Sequence, residues 1–424
     1  MRKLYWLETY GCQMNFAESN SLEAMLEGIG YAKAQRAEDA DAVILNTCSV
    51  RKSAEDRIWG RLGYFHHLKT QRPLKLILTG CMAQRTGDSI LKQAPYIDAV
   101  VLSNDKLSIA GLLQDGDYDR RDCYGFAASS YKKGDFSSYV AIMNGCNNFC
   151  SYCIVPYVRG REVSRSVEDI LAEVHYLDAQ GVREITLLGQ NVNSYDCDGI
   201  GFAELLGKCC QNLSSIRIIR FESPHPKDFS NALIETLKDN PVCARHFHIP
   251  LQSGSDRILQ AMNRHYTSQA YLDLLDRIKA AMPDATFSSD VMVGFPTETE
   301  EDYQKTLDVM EKAGFLEAFM YYYNPRELTK AASLEGQVSQ PDKDRRLSNL
   351  IDLQLKRAFR LKSQRTGLVW PVLVTQVSRD DSTEVLARNE HNEMVAFKAS
   401  LKPGDMAMVR YDSLKGNTFK GTLL

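Results

Sequence analysis

The sequence predicts an α/β protein with three parts: an N-terminal parallel-sheet α/β domain, a central βα barrel and a small C-terminal β-barrel. Three observations indicate this order. Strands alternate with helices over about the first hundred residues, six further βα units follow, and roughly the last 60 residues hold only short β-like runs between glycines and prolines. The chain has 424 residues, of which 44% are apolar and 25% are charged. These values are typical of globular domains and exclude a disordered or fibrous chain.

In the N-terminal part, apolar runs of strand length are separated by helical patterns. The predicted strands are 4–9, 41–46 and 74–79, and the predicted helices include 19–28 and 50–69. A cysteine follows each strand, and we call these three the strand-end triad: Cys12, Cys48 and Cys81. Because the carboxyl ends of consecutive parallel strands meet at one edge of a sheet, we expect the strand-end triad to converge there.

A second βα series makes up the central part. It follows a polar, glycine-punctuated stretch, 114–136, which is typical of a linker or hairpin. The predicted strands of the series are 139–143, 184–188, 216–221, 246–251, 286–293 and 316–323. Six βα units predict a partial or full barrel, whose chemistry lies at the carboxyl ends of its strands.

A basic helix is predicted over 342–365, after the barrel. It has eight basic against three acidic residues, a local net charge of +5 in a chain whose net charge is -3. Such a patch is typical of a surface that binds a phosphate backbone. The alternative is an ordinary amphipathic helix that packs against the barrel. The remaining residues have the short strands and turns of a small β-barrel.

The cysteine count bears on the compartment. Eleven cysteines are an odd number at low density, so we expect free thiols or metal ligands rather than a disulfide framework. The first residues lack the apolar run of a secretory signal, and no uncharged apolar run approaches the roughly 18 residues of a transmembrane helix. We therefore expect a cytoplasmic protein without a membrane partner, in a compartment where thiols stay reduced.

The most specific motif is a CxxxCxxC just after a predicted strand, formed by Cys146, Cys150 and Cys153, which we call the loop triad. A structural zinc site usually has four ligands in two close pairs, whereas this cluster offers three. Three thiolates suit three corners of a 4Fe-4S cube and leave one iron open to bind something else. The alternatives are buried structural cysteines and an incomplete zinc site.

Several motifs carry a resemblance to a known family. The CxxxCxxC is similar to that of the radical S-adenosylmethionine superfamily, and its context, NGCNNFCSYCIVPYVRGREVSRS, resembles the methylthiotransferase branch. Further matches to this branch, in order, are ETYGCQMN, NTCSVRKSAEDR, TGCMAQR, LGQNVNSY, FHIPLQSGSDRILQAMNRHYT and DVMVGFPTETEED. The resemblance spans essentially the whole chain and is closest to the bacterial branch that acts on isopentenylated adenosine in tRNA.

The resemblance implies a sulfur-inserting transferase with two 4Fe-4S clusters. The loop triad would hold the cluster whose open iron chelates S-adenosylmethionine, and reductive cleavage would give a 5′-deoxyadenosyl radical. The strand-end triad would hold an auxiliary cluster that carries the sulfur. The implied reaction is methylthiolation of carbon 2 of N(6)-isopentenyladenosine at position 37 of tRNA. It uses two molecules of S-adenosylmethionine, with no catalytic residue beyond the cluster-bound cofactors.

The resemblance also assigns the domains and partners. It implies a methylthiotransferase N-terminal domain at 1–117, a radical S-adenosylmethionine core at 132–362 and a tRNA-binding TRAM domain at 363–424. An electron donor such as flavodoxin or ferredoxin and a monomeric state are expected. Two alternatives stay open: a sister methylthiotransferase acting on threonylcarbamoyl-adenosine in tRNA or on a ribosomal-protein aspartate, and a non-catalytic iron-sulfur protein that binds RNA.

Other residues at strand ends are candidates for cofactor or substrate binding. Glycines let a ligand approach the backbone, and polar side chains there can meet ribose or adenine. These cofactor-binding candidates are Gly189, Gln190, Glu222 and Gly294. Three arginines just past the loop triad are candidates for binding substrate phosphates, with a solvated charged face as the alternative. These substrate-binding candidates are Arg159, Arg161 and Arg165.

The remaining observations concern residues without an assigned role. His246 and His248 face one side of a strand, and we expect core or hydrogen-bonded histidines. Relatives usually carry a Tyr-Ser-x-Arg-x-Gly-Thr-like stretch after the last barrel strand, whereas Leu328 occupies the glycine position here, so we expect that turn to differ. Five cysteines receive no ligand role: Cys123, Cys197, Cys209, Cys210 and Cys243.

Overall fold

A computed structural model of the chain describes residues 2–49, 52–114, 124–379 and 381–424. Its N-terminal strands are β1 (Leu4–Thr9), β2 (Ala32–Lys33), β3 (Ala42–Thr47), β4 (Lys75–Gly80) and β5 (Ala99–Val101). The helices of this part are α1 (Gln13–Gly28), α2 (Lys52–Gln71), α3 (Cys81–Thr86) and α4 (Ile109–Leu113). The strands form one parallel sheet in the order β2-β1-β3-β4-β5.

The central strand of this sheet explains its layers. Every residue of β3 is buried, as expected for a parallel strand that is covered on both faces. Leu45 packs with Phe65 in one core cluster, whereas Ile44 packs with Leu22 in another. The three predicted strands are confirmed, and two of them start and end one residue later than predicted. Strands β2 and β5 have only two and three residues, too short for a periodic pattern.

The central part has six longer parallel strands, as predicted, and four strands of two residues. The strands are β6 (Ser137–Ala141), β7 (Met143–Asn144), β8 (Val163–Ser164), β9 (Glu184–Leu188), β10 (Asp196–Cys197), β11 (Ile200–Gly201), β12 (Ile218–Phe221), β13 (His246–His248), β14 (Thr286–Val293) and β15 (Glu317–Tyr322). The six longer strands form the parallel sheets β12-β9-β6 and β13-β14-β15. An isolated parallel bridge pairs Ile219 of β12 with Cys243, which precedes β13. This arrangement is a partial βα barrel.

Eight helices belong to this part of the chain, and most of them pack against the outside of the barrel. They are α5 (Val155–Arg159), α6 (Val167–Ala179), α7 (Phe202–Cys209), α8 (Asn231–Asp239), α9 (Asp256–Ala261), α10 (Ser268–Ala281), α11 (Glu300–Ala313) and α12 (Gln340–Ser363). Strand side chains alternate in direction, so Ile185 and Phe247 join the core under the helices. The alternate positions, such as Thr186 and His248, face the barrel interior.

The last strands form a closed five-stranded barrel in the order β16-β17-β18-β20-β19. They are β16 (Val369–Val377), β17 (Glu384–Asn389), β18 (Met394–Lys398), β19 (Met406–Lys415) and β20 (Thr418–Leu423), which confirms the small β-barrel expected there. This barrel contacts the amino ends of the central strands. Arg220 donates to the Asn389 carbonyl at 2.8 Å, and Arg388 pairs with Glu184. The opposite, carboxyl ends stay available for the site.

Helix α12 packs on the barrel through its basic residues. Arg346 pairs with Glu298 at 2.8 Å, and Lys362 pairs with Glu317 at 3.2 Å. Arg345, Arg357, Arg360 and Arg365 also have carboxylate partners. These contacts describe a packing helix, and its role in RNA binding stays a prediction. Among the described residues, no helix combines the length and apolar character that crossing a bilayer needs.

Leu328 keeps a backbone conformation of the glycine type. Its φ is 69°, in the left-handed region that a β-carbon disfavours. Thr329 fixes the turn by donating through its backbone N–H (3.2 Å) and its hydroxyl (2.6 Å) to the Arg326 carbonyl. The neighbouring Glu327 accepts a hydrogen bond from Arg85 of α3 at 2.6 Å. The turn therefore joins the N-terminal sheet to the barrel despite the leucine.

Candidate active site

The loop triad lies on one loop at the carboxyl end of the barrel, between β7 and α5. Cys146 and Cys150 are each 8% exposed, and Cys153 is partly buried. The Cys153 N–H donates to the Cys150 carbonyl at 2.9 Å. The three thiols also interact electrostatically with one another. The structure therefore brings the predicted ligands together.

A glycine fixes the start of this loop. Gly145 has a φ of 84°, and a Cβ atom there would collide with the Arg161 carbonyl oxygen. The Gly145 N–H donates to Oε1 of Gln190 at 2.6 Å, and the Cys146 N–H donates to the Gly160 carbonyl at 3.1 Å. Gln190, one of the cofactor-binding candidates, thus holds the loop in place.

Burial controls the protonation of the loop thiols. It raises the pKa of Cys146 to about 11, and burial together with the neighbouring Cys150 raises the pKa of Cys153 to about 12. Such thiols are protonated at neutral pH unless a cation binds and displaces the proton. Three converging sulfur donors fit a 4Fe-4S cluster that keeps one iron free of protein ligands.

The strand-end triad converges as predicted. Strands β1, β3 and β4 are neighbours, and each is followed by one of the cysteines. A Cβ atom on Gly11 would lie 3.2 Å from Sγ of Cys48, so the loop that carries Cys12 touches Cys48. Cys12 is exposed, whereas Cys48 and Cys81 are 4% and 3% exposed. One exposed and two buried thiols therefore lie along a single edge of the sheet.

Arg159 links this triad to a group of buried ions. It interacts electrostatically with Cys81 and Cys12, and its Nη1 donates to Glu18 at 2.8 Å. Lys106 also pairs with Glu18. Burial alone would raise the pKa of Glu18, but the two cations outweigh it and lower the pKa to about 2. Two cations and one carboxylate leave an excess of one positive charge beside the cysteines.

Helix α5 separates the two triads. Cys81 packs in one apolar cluster with Ile154 and Val158. Ile154 directly follows Cys153 in the sequence, and Val158 lies on α5. Both triads therefore flank the same short helix.

The other cofactor-binding candidates differ in their surroundings. Gly189 follows β9, and a Cβ atom there would lie 2.5 Å from Cγ of Met143. Glu222 follows β12, and burial raises its pKa. The Gly294 N–H donates to Glu298 at 2.8 Å, so an internal carboxylate already occupies this amide. Their role in cofactor binding stays a prediction.

The three arginine candidates also differ. Arg159 is 5% exposed, and Arg165 is 6% exposed and pairs with Glu173. Arg161 is exposed, with its guanidinium 4.4 Å from the centroid of the Phe149 ring. Of the three, Arg161 is placed to meet a ligand from solvent. Binding of substrate by these residues stays a prediction.

A polar cluster inside the barrel was only partly predicted. His246 lies 2.9 Å from the hydroxyls of Thr286 and Ser288, which confirms a hydrogen-bonded histidine. His248 Nε2 lies 3.6 Å from Asp290. Burial alone would lower the pKa of His248, but the contact with Asp290 outweighs it and raises the pKa. Asp290 lies on a strand far along the chain, so no local spacing indicated this pair.

Of the five other cysteines, the structure describes four, which belong to neither triad. Cys210 and Cys243 have their sulfurs 3.6 Å apart, Cys209 is buried, and Cys197 lies in the β10–β11 hairpin. Cys123 lies outside the described residues. The sequence also gave no sign of Glu18 or Lys106, and it contained Arg264, which donates to Cys150, only as part of a motif.

Comparisons with known proteins decide the family. The Radical SAM superfamily matches residues 140–310, and a family described as "Uncharacterized protein family UPF0004" matches residues 4–102. A tRNA-2-methylthio-N(6)-dimethylallyladenosine synthase of Treponema denticola is 44% identical over 99% of both chains. Its counterpart in Treponema pallidum strain Nichols is 42% identical over 99% of this chain and 98% of the relative.

This chain belongs to that synthase family. It is a radical S-adenosylmethionine enzyme of the methylthiotransferase type, and membership implies S-adenosylmethionine and a 4Fe-4S cluster as cofactors. Solved structures agree in fold. The radical S-adenosylmethionine methyltransferase TsrM of Kitasatospora setae, with cobalamin and a 4Fe-4S cluster bound, is 14% identical, with a TM-score of 0.58 over 78% of this chain and 77% of TsrM.

Proposed function

We propose that this enzyme adds a methylthio group to carbon 2 of N(6)-isopentenyladenosine beside the anticodon of tRNA, with two molecules of S-adenosylmethionine. The observation that carries the proposal is the full-length match to synthases with this named product, combined with two cysteine triads around one helix. The family match alone leaves the number of clusters open. The convergence of Cys12, Cys48 and Cys81 supports a second one.

The two triads take different roles in this proposal. With a cluster on each triad, the loop site supplies radical chemistry with S-adenosylmethionine, and the strand-end site supplies sulfur. The chain's own contribution is placement. Gln190 and Gly145 fix the cysteine loop, and α5 holds Cys81 against Ile154. Arg159 supplies positive charge beside Cys12 and Cys81, which favours anionic ligands there.

The remaining assignments follow from this function. We propose the division 1–117, 132–362 and 363–424, with the C-terminal barrel as a TRAM domain that contacts tRNA. An enzyme of this kind needs a low-potential electron donor such as flavodoxin or ferredoxin. A monomer in the cytoplasm, where tRNA is found, is the proposed state. The residues proposed to line the cofactor site are Gly189, Gln190, Glu222 and Gly294. Of the three arginines proposed to bind the substrate, Arg161, Arg159 and Arg165, the exposed Arg161 is the one most directly placed to contact it.

Nucleoside mass spectrometry of tRNA tests the substrate. The gene is expressed in a bacterial strain that lacks its own synthase and accumulates N(6)-isopentenyladenosine. We expect the 2-methylthio derivative to appear and the precursor to fall. Persistence of the precursor with no methylthio product would overturn the proposed substrate.

The same experiment separates the alternatives. Methylthiolated threonylcarbamoyl-adenosine in the same digest would indicate a sister enzyme that acts on tRNA. A modified aspartate, found by peptide mass spectrometry of ribosomal protein from the same cells, would indicate the sister enzyme that acts on protein. A non-catalytic iron-sulfur protein would leave all of these unchanged. A Cys197→Ala variant serves as a control for cysteine substitution in this strain. Cys197 lies outside both triads, so this variant should leave the product at the parent level.

A further inference from the structure

Arg264 is a buried cation beside the loop triad. It is 5% exposed, and its Nη1 donates to Sγ of Cys150 at 3.4 Å. Nη2 donates to the Pro250 carbonyl at 3.2 Å, and Nε donates to the Tyr266 hydroxyl at 3.1 Å. In the part of the chain that the structure describes, no carboxylate forms an ion pair with Arg264.

A buried guanidinium without a counter-anion is unfavourable. The Pro250 carbonyl is neutral, and a tyrosine hydroxyl ionises only near pH 10 in ordinary surroundings. The remaining partner is Cys150, and a cysteine that ligates a metal is a thiolate. The position of Arg264 therefore fits a loop triad that carries negative charge, and its hydrogen bond to such a sulfur is charge-assisted.

The segment that carries Arg264 also holds the cysteine loop. The side-chain amide of Asn263 donates to the Phe149 carbonyl at 3.1 Å, and the Ser151 N–H donates to the Met262 carbonyl at 3.0 Å. Asn263 has a φ of 59°. Asparagine adopts this left-handed conformation more readily than most residues other than glycine, so the chain can turn here. The segment that carries the guanidinium is thus joined to the cysteine loop by hydrogen bonds on the two residues before Arg264.

We propose that Arg264 is a positioning residue that orients Cys150 and supplies the positive charge that raises the reduction potential of the cluster on the loop triad. This rests on the proposed function, in which the triad holds a 4Fe-4S cluster. Hydrogen bonds to cluster sulfurs and nearby charge are established determinants of cluster potential. A cation stabilises the form that has gained an electron, because that form is the more negative one.

Redox titration followed by electron paramagnetic resonance tests the proposal. The full chain is reconstituted with iron and sulfide. A second version of the full chain has alanine in place of the three strand-end cysteines, so that only the cluster on the loop triad is observed, and each Arg264 variant is also made in that version. In Arg264→Met, we expect the ratio of reduced to oxidised cluster at a fixed potential to fall about tenfold, which is about 59 mV for a one-electron couple. Arg264→Lys keeps the charge and should stay within about threefold of the parent.

The control is Arg257→Gln on α9, an exposed arginine that pairs with Asp302 and should leave the potential unchanged. Equal shifts in the Met and Lys variants, or no shift in the Met variant, would overturn the proposal. Loss of cluster iron in Arg264→Met with iron retained in Arg264→Lys would support it, because lysine keeps the positive charge and a hydrogen-bond donor to Cys150, both of which methionine lacks. Loss of iron in both would contradict it.

Failure of the proposed function gives a different result. If the loop triad holds no cluster, the parent itself shows no iron-dependent resonance in the background without the strand-end triad. If the cluster is present and only Arg264 is misassigned, the parent shows the resonance, and Arg264→Met has the same reduction potential as the parent.

Discussion

The two cysteine triads are built in opposite ways. The loop triad occupies eight consecutive residues, Cys146 to Cys153, so one loop carries all three sulfurs, and Gln190 and Asn263 hold that loop from outside. The strand-end triad draws its cysteines from three strands of a sheet, so its geometry depends on the register of β1, β3 and β4. The positions of the three sulfurs therefore depend on the conformation of one loop in the first site and on the folding of the whole N-terminal sheet in the second.

The buried arginines beside the two triads also differ, in whether a carboxylate pairs with them. Arg264, beside the loop triad, has no carboxylate partner among the described residues. Arg159, beside the strand-end triad, shares Glu18 with Lys106. The first site therefore has one described cation without a carboxylate, and the second has two cations that share one carboxylate, an excess of one positive charge. Substitutions can separate the two sites through this difference.

The largest expected effect is the loss of one cluster at a time. Replacing Cys150 by alanine should remove about four of roughly eight irons and leave the strand-end cluster in place. Cys48→Ala should remove the other four. Iron and sulfide analysis after anaerobic reconstitution measures this, with Cys197→Ala as the control that retains the full content. Loss of all the iron in both variants would show that the triads are not independent.

Glu18→Gln should strongly destabilise the N-terminal domain. It leaves Arg159 and Lys106 buried without their shared carboxylate, which costs about 3–5 kcal/mol in the free energy of unfolding. Urea unfolding measures the loss. Glu235→Gln is the matched control, because the exposed pair with Lys238 contributes about 1 kcal/mol or less. A Glu18 variant no weaker than this control would contradict the account of the buried ions.

The Glu18 contribution should also depend on pH. Its pKa falls from 4.5 to about 2 on folding, so the stabilisation is complete above about pH 4.5 and is lost as the pH falls towards 2. From pH 7 to pH 3, the difference in unfolding free energy between the parent and Glu18→Gln should shrink by about 2 kcal/mol. Unfolding curves at both pH values measure it. A constant difference would argue against an ionised Glu18.

The smallest expected effect concerns the turn between the two regions. Leu328→Gly relieves a left-handed φ, which favours the folded state. Glycine also loses more entropy on folding, which offsets part of that gain, so the net stabilisation should be about 1 kcal/mol or less. Thermal unfolding of the reconstituted protein measures it. The iron content should be unchanged, because Leu328 belongs to neither triad. A lower unfolding temperature would show that the leucine side chain contributes contacts that outweigh the strain.

The sequence predicted the parts of the fold that have local signals. Strands β1, β9 and β14 lie within the predicted bounds, and the convergence of the strand-end cysteines followed from parallel βαβ topology. The two-residue strands carry too little pattern for such a prediction.

The charged residues of the site were harder to predict, because their partners are distant in sequence. Arg159 was placed by its position after the loop triad, but its partner Glu18 lies 141 residues away. Similarly, the basic charge of α12 is apparent in the sequence, whereas carboxylates such as Glu298 and Glu311 that offset it lie on other elements. Periodicity and local charge do not reveal such pairing.

The most direct test of two sites with separate roles is to measure cofactor cleavage and product in the same reaction. Reconstituted parent, Cys48→Ala and Cys150→Ala are reduced with dithionite and given S-adenosylmethionine and isopentenylated tRNA, and 5′-deoxyadenosine and the methylthiolated nucleoside are quantified by mass spectrometry. We expect Cys48→Ala to form 5′-deoxyadenosine without the methylthio product, and Cys150→Ala to form neither. Methylthio product from Cys48→Ala, or 5′-deoxyadenosine from Cys150→Ala, would contradict the account.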